Sequence, residues 1–255
     1  MERDELAAWL RLTLTPGVGN DSARKLLAAF GLPQAIFDQP TAVLKQVVST
    51  ARALALGTPP DGLDALTVGC YPDLMGRVCL AASLLADEGV PLACEGDVNG
   101  AVGQLVLQLL TAGPTHSTDW LNPLEDGSVV FTHCGSGSFS LAHHPEQITL
   151  SDVRLMGQGV CALFTTKPGP VTLLSLNATP GGYQCALLEG QSLPTGMVFP
   201  GNPVRVRFDR PTAELIDWIH EEGIGHHWMI GHGHVGREVR DWANIAGPAL
   251  TLLEA

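Results

Sequence analysis

Residues 90–113 read "VPLACEGDVNGAVGQLVLQLLTAG", and this stretch decides the fold of the chain around it. The apolar run at 90–94 predicts a short buried strand, and residues 98–113 predict an apolar helix. Two carboxylates, Glu95 and Asp97, stand in the turn between them. A negative charge is favourable at the start of a helix, and Asp97 is the better placed of the two to cap it. Glu95 therefore needs another partner, because an unpaired charge beside a buried strand is costly.

The strand and helix at 90–113 continue an alternating pattern that starts near residue 62. "LDALTVGCYP" predicts a strand and "LMGRVCLAASLLADEG" an amphipathic helix, so 62–126 is expected to form a β-α-β-α unit. From 127 to 255 the chain is β-rich, with "GSVVFTHCG", "GVCALFTTKPGPVTLLSLNAT", "GYQCALLEGQSL" and "PVRVRF" separated by Gly, Pro and Asn. That spacing is typical of an antiparallel barrel-like or sandwich domain. "TAELIDWIHEEG" and "GREVRDWANIAG" predict two late helices.

Residues 1–56 predict a separate, small, all-helical domain. "TPGVGN" is a turn and "DSARKLLAAFG" a helix, which together form a helix-hairpin-helix (SAM-like) pattern. "GTPPDG" at 57–62 is the clearest linker. The expected fold class is therefore α+β, with a helical domain at 1–56 and a larger region at 62–255.

Charge is divided unevenly along the 255 residues, of which 45% are apolar. Residues 1–56 hold six basic and five acidic side chains, and the remainder holds eight basic and 21 acidic ones. An acidic surface repels phosphate backbones, so a cation matches the larger part better than a nucleic acid does.

Location follows from three further features of the sequence. No apolar run approaches the roughly 18–20 residues of a membrane span. The start "MERDELAAWL" is unlike a signal peptide, and six scattered cysteines without a CxxC pair favour reduced thiols. We expect a cytoplasmic protein without membrane contact.

Two carboxylates and a few histidines suggest a metal site. Glu95 follows a strand, Asp119 lies in "STDWLN", and His133 ends the apolar strand of "FTHCGSGS". "GIGHHWMIGHGH" adds His226 and His227; adjacent residues of an extended chain point to opposite faces, so one should face a cavity. Oxygen and imidazole ligands suit Mn²⁺, Mg²⁺ or Fe²⁺ better than a thiolate-rich zinc site does. Such an ion bridges neighbouring polyol oxygens, while a carboxylate beside it moves a proton between adjacent carbons.

Each of these residues also has an ordinary structural interpretation. Glu95 could cap the following helix, Asp119 could be a turn residue, and His133 could be a hydrogen-bonded core histidine. The remaining histidines of the two histidine-rich stretches are assigned to turns and loops, outside the site: His143, His144, His232 and His234.

The region from about residue 62 to the end resembles the C-terminal part of the L-fucose isomerase family, which is shared in outline with L-arabinose isomerase. The resemblance lies in "CYPDL", "GVPLACEGDVNGA", "DWLN", "VVFTHCG", "GPVTLLSL", "LLEGQSL" and "GIGHHW…GHVG". It implies an aldose–ketose isomerase that uses a metal-dependent enediol mechanism, with Mn²⁺ or another divalent cation such as Mg²⁺. The metal ligands would be Glu95, Asp119 and His227, and the arabinose-isomerase side adds His133. Glu95 and Asp119 would also pass the proton between C1 and C2 of a sugar substrate.

The same resemblance implies a departure from the family, because its two further N-terminal α/β domains have no counterpart here. A truncated, weakly active or inactive member is therefore one alternative. A non-catalytic subunit or homo-oligomer is another, since a β-α-β-α remnant exposes a strand edge.

Residues 1–56 resemble the N-terminal helical domain of bacterial DNA-processing protein A. The alternative function is a DNA-associated protein that acts through this domain, where a Gly-x-Gly turn and a helix N-terminus can meet a phosphate. Its net charge of +1 predicts weak binding.

Overall fold

The computed structural model describes residues 3–15, 17–49, 52–53, 64–154 and 157–255. The chain divides into two compact units, Met1–Leu63 and Asp64–Ala255. The linker expected at 57–62, and with it the boundary between the expected domains, lies outside the described residues.

The described part of the first unit consists of helices and turns. The helices include α1 (Arg3–Leu14), α2 (Asn20–Phe30), α3 (Pro33–Phe37) and α4 (Thr41–Leu44), and residues 52–53 are helical as well. Gly31, with φ 84°, ends α2, and Pro33 occupies the first turn of α3, where its missing N–H is not needed. The core of this unit is apolar: Leu12, Val18, Leu26, Ile36, Leu44, Val48 and Ala53.

The second unit starts with a small β-α-β-α segment. Strands β1 (Leu66–Thr67) and β2 (Leu92–Ala93) pair in parallel, with α5 (Cys79–Asp87) between them and α6 (Val98–Thr111) after them. Helix α5 is shorter than the sequence predicted. The reason is Gly76, which has φ 80° and lies so close to a neighbouring loop that a Cβ there would be 2.4 Å from the carbonyl oxygen of Gln158.

A seven-stranded sheet forms most of the second unit. Strand β9 pairs with β4 on one side and with β8 on the other, so β8, β7, β10, β3, β4 and β9 form a closed ring, and β11 pairs in parallel with the outer edge of β8. The strands are β3 (Thr115–Pro123), β4 (Ser128–Thr132), β7 (Gly169–Thr179), β8 (Gly182–Leu193), β9 (Val204–Arg207), β10 (His227–His232) and β11 (Leu250–Glu254). A separate antiparallel pair consists of β5 (Thr149–Val153) and β6 (Gln158–Leu163).

Side-chain alternation along the strands produces two cores. Within β10, Trp228 and Ile230 belong to one core, which also takes in Leu215 and Trp218 from helix α7 (Thr212–Glu221). Met229 faces the opposite side, where α6 and α8 (Gly236–Ala246) contribute Leu107 and Val239. The opposite side of β10, which also carries His227, is therefore the side that α6 covers.

The sheet begins earlier along the chain than the β-rich composition indicated. Strand β3 starts at Thr115, although the β-rich part was expected from residue 127. Its segment "THSTDWLNP" is polar and lacks an apolar alternation. It is nevertheless a strand, because its backbone pairs with β10 on one side and with β4 on the other. None of the helices in the described segments is both long and apolar enough for a bilayer span.

Candidate functional site

The turn between β2 and α6 holds two of the acidic side chains. Asp97 is the N-cap of α6, as predicted, and its Oδ1 accepts a hydrogen bond of 2.8 Å from the Gly100 N–H. Glu95 has φ 63°, a left-handed conformation that is uncommon for a residue with a side chain. Backbone strain of this kind is concentrated at functional sites, where the surrounding structure enforces it.

The sheet brings a histidine and a third carboxylate to the same place. His227 and Asp119 are direct cross-strand partners in β10 and β3. Asp119 also pairs with Thr132 of β4, and His133 is the next residue after that strand. Because directly opposite residues of an antiparallel pair share a face, Asp119 lies beside His227 on the face that α6 covers.

His227 is the centre of this cluster. Its Nδ1 lies 2.9 Å from Asp97 Oδ2, and its Nε2 lies 3.6 Å from Glu95 Oε2 and 3.5 Å from Asp119 Oδ1. The side chain is only 18% exposed, and Nε2 has no hydrogen-bond partner among the described residues. The carboxylates of Glu95 and Asp119, both more than a hundred positions from His227, therefore approach a ring nitrogen that has no hydrogen-bond partner among the described residues.

Two further histidines lie next to this centre. His133 is buried, its ring centroid is 6.0 Å from that of His227, and its Nδ1 is 3.3 Å from Cys134 Sγ. His226 is 71% exposed, and its Nε2 is 3.8 Å from Asp119 Oδ1. The expectation that His226 and His227 point to opposite faces is therefore wrong. His226 precedes β10, so the alternation of an extended strand does not apply to it.

The ionisation of these groups follows from their contacts. The hydrogen bond to Asp97 raises the pKa of His227 against the opposing effect of burial, and the charges of Asp119 and Glu95 act in the same direction. Burial opposes the ionisation of Asp97, but the hydrogen bonds from His227 and Gly100 lower its pKa on balance. Burial lowers the pKa of His133. The carboxylates around His227 therefore favour a positive charge next to its Nε2 atom.

Possible ligand atoms converge in two overlapping sets. Glu95, His226 and His227 form one, Asp119, His133 and His227 the other, and within each set the atoms lie within 4.8 Å of one another. Because Asp97 occupies Nδ1, His227 offers a single ligand atom. The two sets therefore meet at one shared atom, His227 Nε2, and together could hold one ion. Oxygen and imidazole donors fit Mn²⁺ or Mg²⁺.

The sequence did not reveal the contact between Asp97 and His227. Asp97 was assigned to the helix cap alone, and its hydrogen bond to His227 spans 130 residues of sequence. A contact at that separation has no local signal.

No protein-family model matches the chain. The chain is 29% identical to the sulfoquinovose isomerase of Alkalicoccus urumqiensis over 201 residues, which are 76% of this chain and 45% of the relative. It is also 29% identical to the sulfoquinovose isomerase of Priestia aryabhattai, over 68% of this chain and 40% of that protein. The chain thus spans less than half the length of these curated relatives.

These similarities relate the chain to sugar isomerases, in agreement with the resemblance drawn from the motifs. They do not point specifically to L-fucose or L-arabinose isomerase, and they give no support to a likeness with DNA-processing protein A.

Proposed function

We propose that the chain is an aldose–ketose isomerase of carbohydrate metabolism, with a divalent-cation site formed by Glu95, Asp119 and His227. The observation that supports it best is the approach of Glu95 Oε2 and Asp119 Oδ1 to the same unpartnered His227 Nε2. His133 is the fourth candidate ligand. The name of the relatives suggests sulfoquinovose, a sulfonated aldose, as the first substrate to test.

The reaction moves one proton between neighbouring carbons of an open-chain sugar and one proton between the oxygens on those carbons. A divalent cation held by Glu95, Asp119 and His227 would supply Lewis acidity that polarises the sugar carbonyl. A carboxylate oxygen, Glu95 Oε2 or Asp119 Oδ1, takes the proton from C2 and returns it to C1 through an enediol, while the hydroxyl proton of O2 passes to O1; the aldose thereby becomes the ketose. Both carboxylates are part-exposed, so a sugar can reach them, whereas His227 is nearly buried.

Removal of either carboxylate tests this proposal. Mn²⁺ binding and the conversion of sulfoquinovose and a panel of other aldoses are measured for the wild type, Glu95→Gln and Asp119→Asn. We expect both variants to bind Mn²⁺ more weakly and to lose about 10²–10⁴-fold in turnover. Glu125→Gln, which removes an exposed carboxylate, is the matched control.

The outcomes separate the two parts of the proposal. Equal Mn²⁺ binding by the wild type and Glu95→Gln would contradict the metal site. Mn²⁺ binding without turnover of any aldose would contradict the isomerase activity and favour a non-catalytic member.

A second candidate function is DNA association through residues 1–56. The start of α2 borders a concave surface on which three basic side chains, Arg24, Lys25 and Arg52, lie near the turn at Gly19. Backbone N–H groups at such a helix start can meet a phosphate. Asp21 on the same surface pairs with Arg24 at 3.3 Å and reduces the positive charge.

A further inference from the structure

Asp97 uses both carboxylate oxygens for different structural elements. Oδ1 accepts from the Gly100 N–H at 2.8 Å, which caps α6, and Oδ2 lies 2.9 Å from His227 Nδ1, which belongs to β10. The approach depends on Gly100, because a Cβ at that position would lie 2.4 Å from Asp97 Oδ2. A single side chain thus joins the start of the helix to the strand that carries His227.

The chemistry of the two groups determines which nitrogen carries the proton. An ionised carboxylate only accepts hydrogen bonds, and a neutral imidazole has one N–H donor and one acceptor nitrogen. Nδ1 must therefore be the donor in the contact with Asp97, which leaves a lone pair on Nε2. That lone pair faces the carboxylates of Glu95 and Asp119.

We infer that Asp97 is a positioning residue: it holds His227 as the Nδ1–H tautomer and aims Nε2 at the ion that Glu95 and Asp119 would share. This inference rests on the proposed function. Asp97 acts through His227 and is itself no ligand in either converging set. Carboxylates that accept from a ligating histidine orient its ring and increase its basicity, and their loss weakens metal binding.

A role in capping alone would produce a different pattern among variants. Serine is a good N-cap, so Asp97→Ser keeps the cap of α6 but is too short to contact His227. Asparagine has a single oxygen for the Gly100 N–H, so its NH₂ group would face Nδ1 and donate to it, which requires the Nε2–H tautomer. Gly100→Ala retains the Asp97 side chain, but the added Cβ pushes the carboxylate away from His227 Nδ1.

The first measurement needs no metal. Long-range ¹H–¹⁵N spectra of the full chain, at a pH where the ring of His227 is neutral, report its tautomer. We expect the Nδ1–H form in the wild type and a shift toward Nε2–H in Asp97→Asn, Asp97→Ser and Gly100→Ala. A dominant Nε2–H form in the wild type, or the same tautomer in all four proteins, would overturn the inference.

The second measurement is the affinity for Mn²⁺ alone, by calorimetry. We expect both Asp97→Ser and Asp97→Asn to weaken it by about 10–100-fold, because both move the proton from Nδ1 to Nε2. Asp209→Ser is the control and should leave the affinity unchanged. Asp209 is exposed and follows β9 just after Arg207, which pairs with Ser128 at the end of β4 that is farther from His133.

The results distinguish this inference from the proposed function. If Asp97→Ser binds Mn²⁺ like the wild type while Glu95→Gln does not, the positioning role is wrong and the metal site stands. If the wild type binds no Mn²⁺, the proposed metal site is wrong, and the tautomer spectra still decide whether Asp97 positions the ring.

Discussion

At the scale of single residues, the sheet contains histidines with buried ring nitrogens that have no hydrogen-bond partner among the described residues. His116 on β3 is fully buried, and neither ring nitrogen has a hydrogen-bond partner among the described residues. Burial lowers its pKa to about 3, and the nearby His133 and His232 act in the same direction. Burial likewise lowers the pKa of His232 to about 4. These rings are neutral in the folded protein at neutral pH.

The buried His116 makes stability sensitive to acid. Its ordinary pKa is 6.5, so between about pH 6.5 and 3 the unfolded chain binds a proton that the folded chain does not. The free energy of unfolding is therefore not reduced by His116 above about pH 6.5, and it decreases as the pH falls below that value. We expect His116→Gln to reduce the loss of unfolding free energy between pH 8 and pH 5 by about 1–2 kcal/mol. Urea titrations at both pH values measure it.

A surface histidine provides the control for this experiment. His220→Gln, at an exposed position, should lose as much unfolding free energy between pH 8 and pH 5 as the wild type does. Identical pH profiles for His116→Gln and the wild type would show that His116 is protonated or partnered in the folded state. His133 and His232 contribute with the same sign, so some acid sensitivity should remain.

At the scale of elements, α6 is well terminated at one end only. Asp97 caps its start. At the other end, the C-cap residue Ala112 has a left-handed conformation, with φ 50° and ψ 34°. Glycine is the usual residue at such a position because a Cβ is disfavoured there. Since α6 covers the face of β10 that carries His227, the stability of this helix bears directly on the site.

Replacement of this residue should stabilise the protein. We expect Ala112→Gly to increase the free energy of unfolding by about 0.5–1 kcal/mol, because it relieves the strain at an exposed position. Thermal or urea unfolding measures the change. Ala213→Gly, an exposed helical position in α7, should have the opposite sign, by about 0.5–1 kcal/mol. A loss of stability in both variants would contradict this account of the helix end.

Elements differed in how well their sequences predicted them. Strand β8 coincides with the segment "GYQCALLEGQSL", and α6 and α7 lie where the apolar periodicity indicated helices. Two elements, α5 and β3, did not follow the sequence pattern, and in both cases the reason lies in other segments of the chain. Gly76 shortens α5 through its close approach to Gln158, and the polar β3 is a strand because two neighbours supply its hydrogen bonds.

At the scale of the whole molecule, the two candidate functions occupy different units. Every residue of the candidate metal site lies within Asp64–Ala255, and the basic surface at the start of α2 lies within Met1–Leu63. Most of the excess acidic charge belongs to the larger unit, which disfavours DNA there.

Charge reversal in the smaller unit separates the two functions. If residues 1–56 bind DNA, fluorescence anisotropy at low salt should detect single- or double-stranded DNA binding that weakens steeply with added salt. Arg24→Glu with Lys25→Glu should abolish it and leave the Mn²⁺ affinity unchanged. Absence of binding even at low salt would exclude the DNA function, and a changed Mn²⁺ affinity would show that the substitutions also disturb the candidate metal site.

Local patterns in the sequence predicted most of the apolar elements, the helix cap at Asp97 and a short set of candidate ligands, because periodicity, capping and residue chemistry are local properties. Only the tertiary structure decided which candidates meet. The pairing of β10 with β3, and the packing of α6 on that face, bring Glu95, Asp97 and Asp119 around His227. Local patterns cannot predict this convergence, since strand register and helix packing join residues that are more than a hundred positions apart.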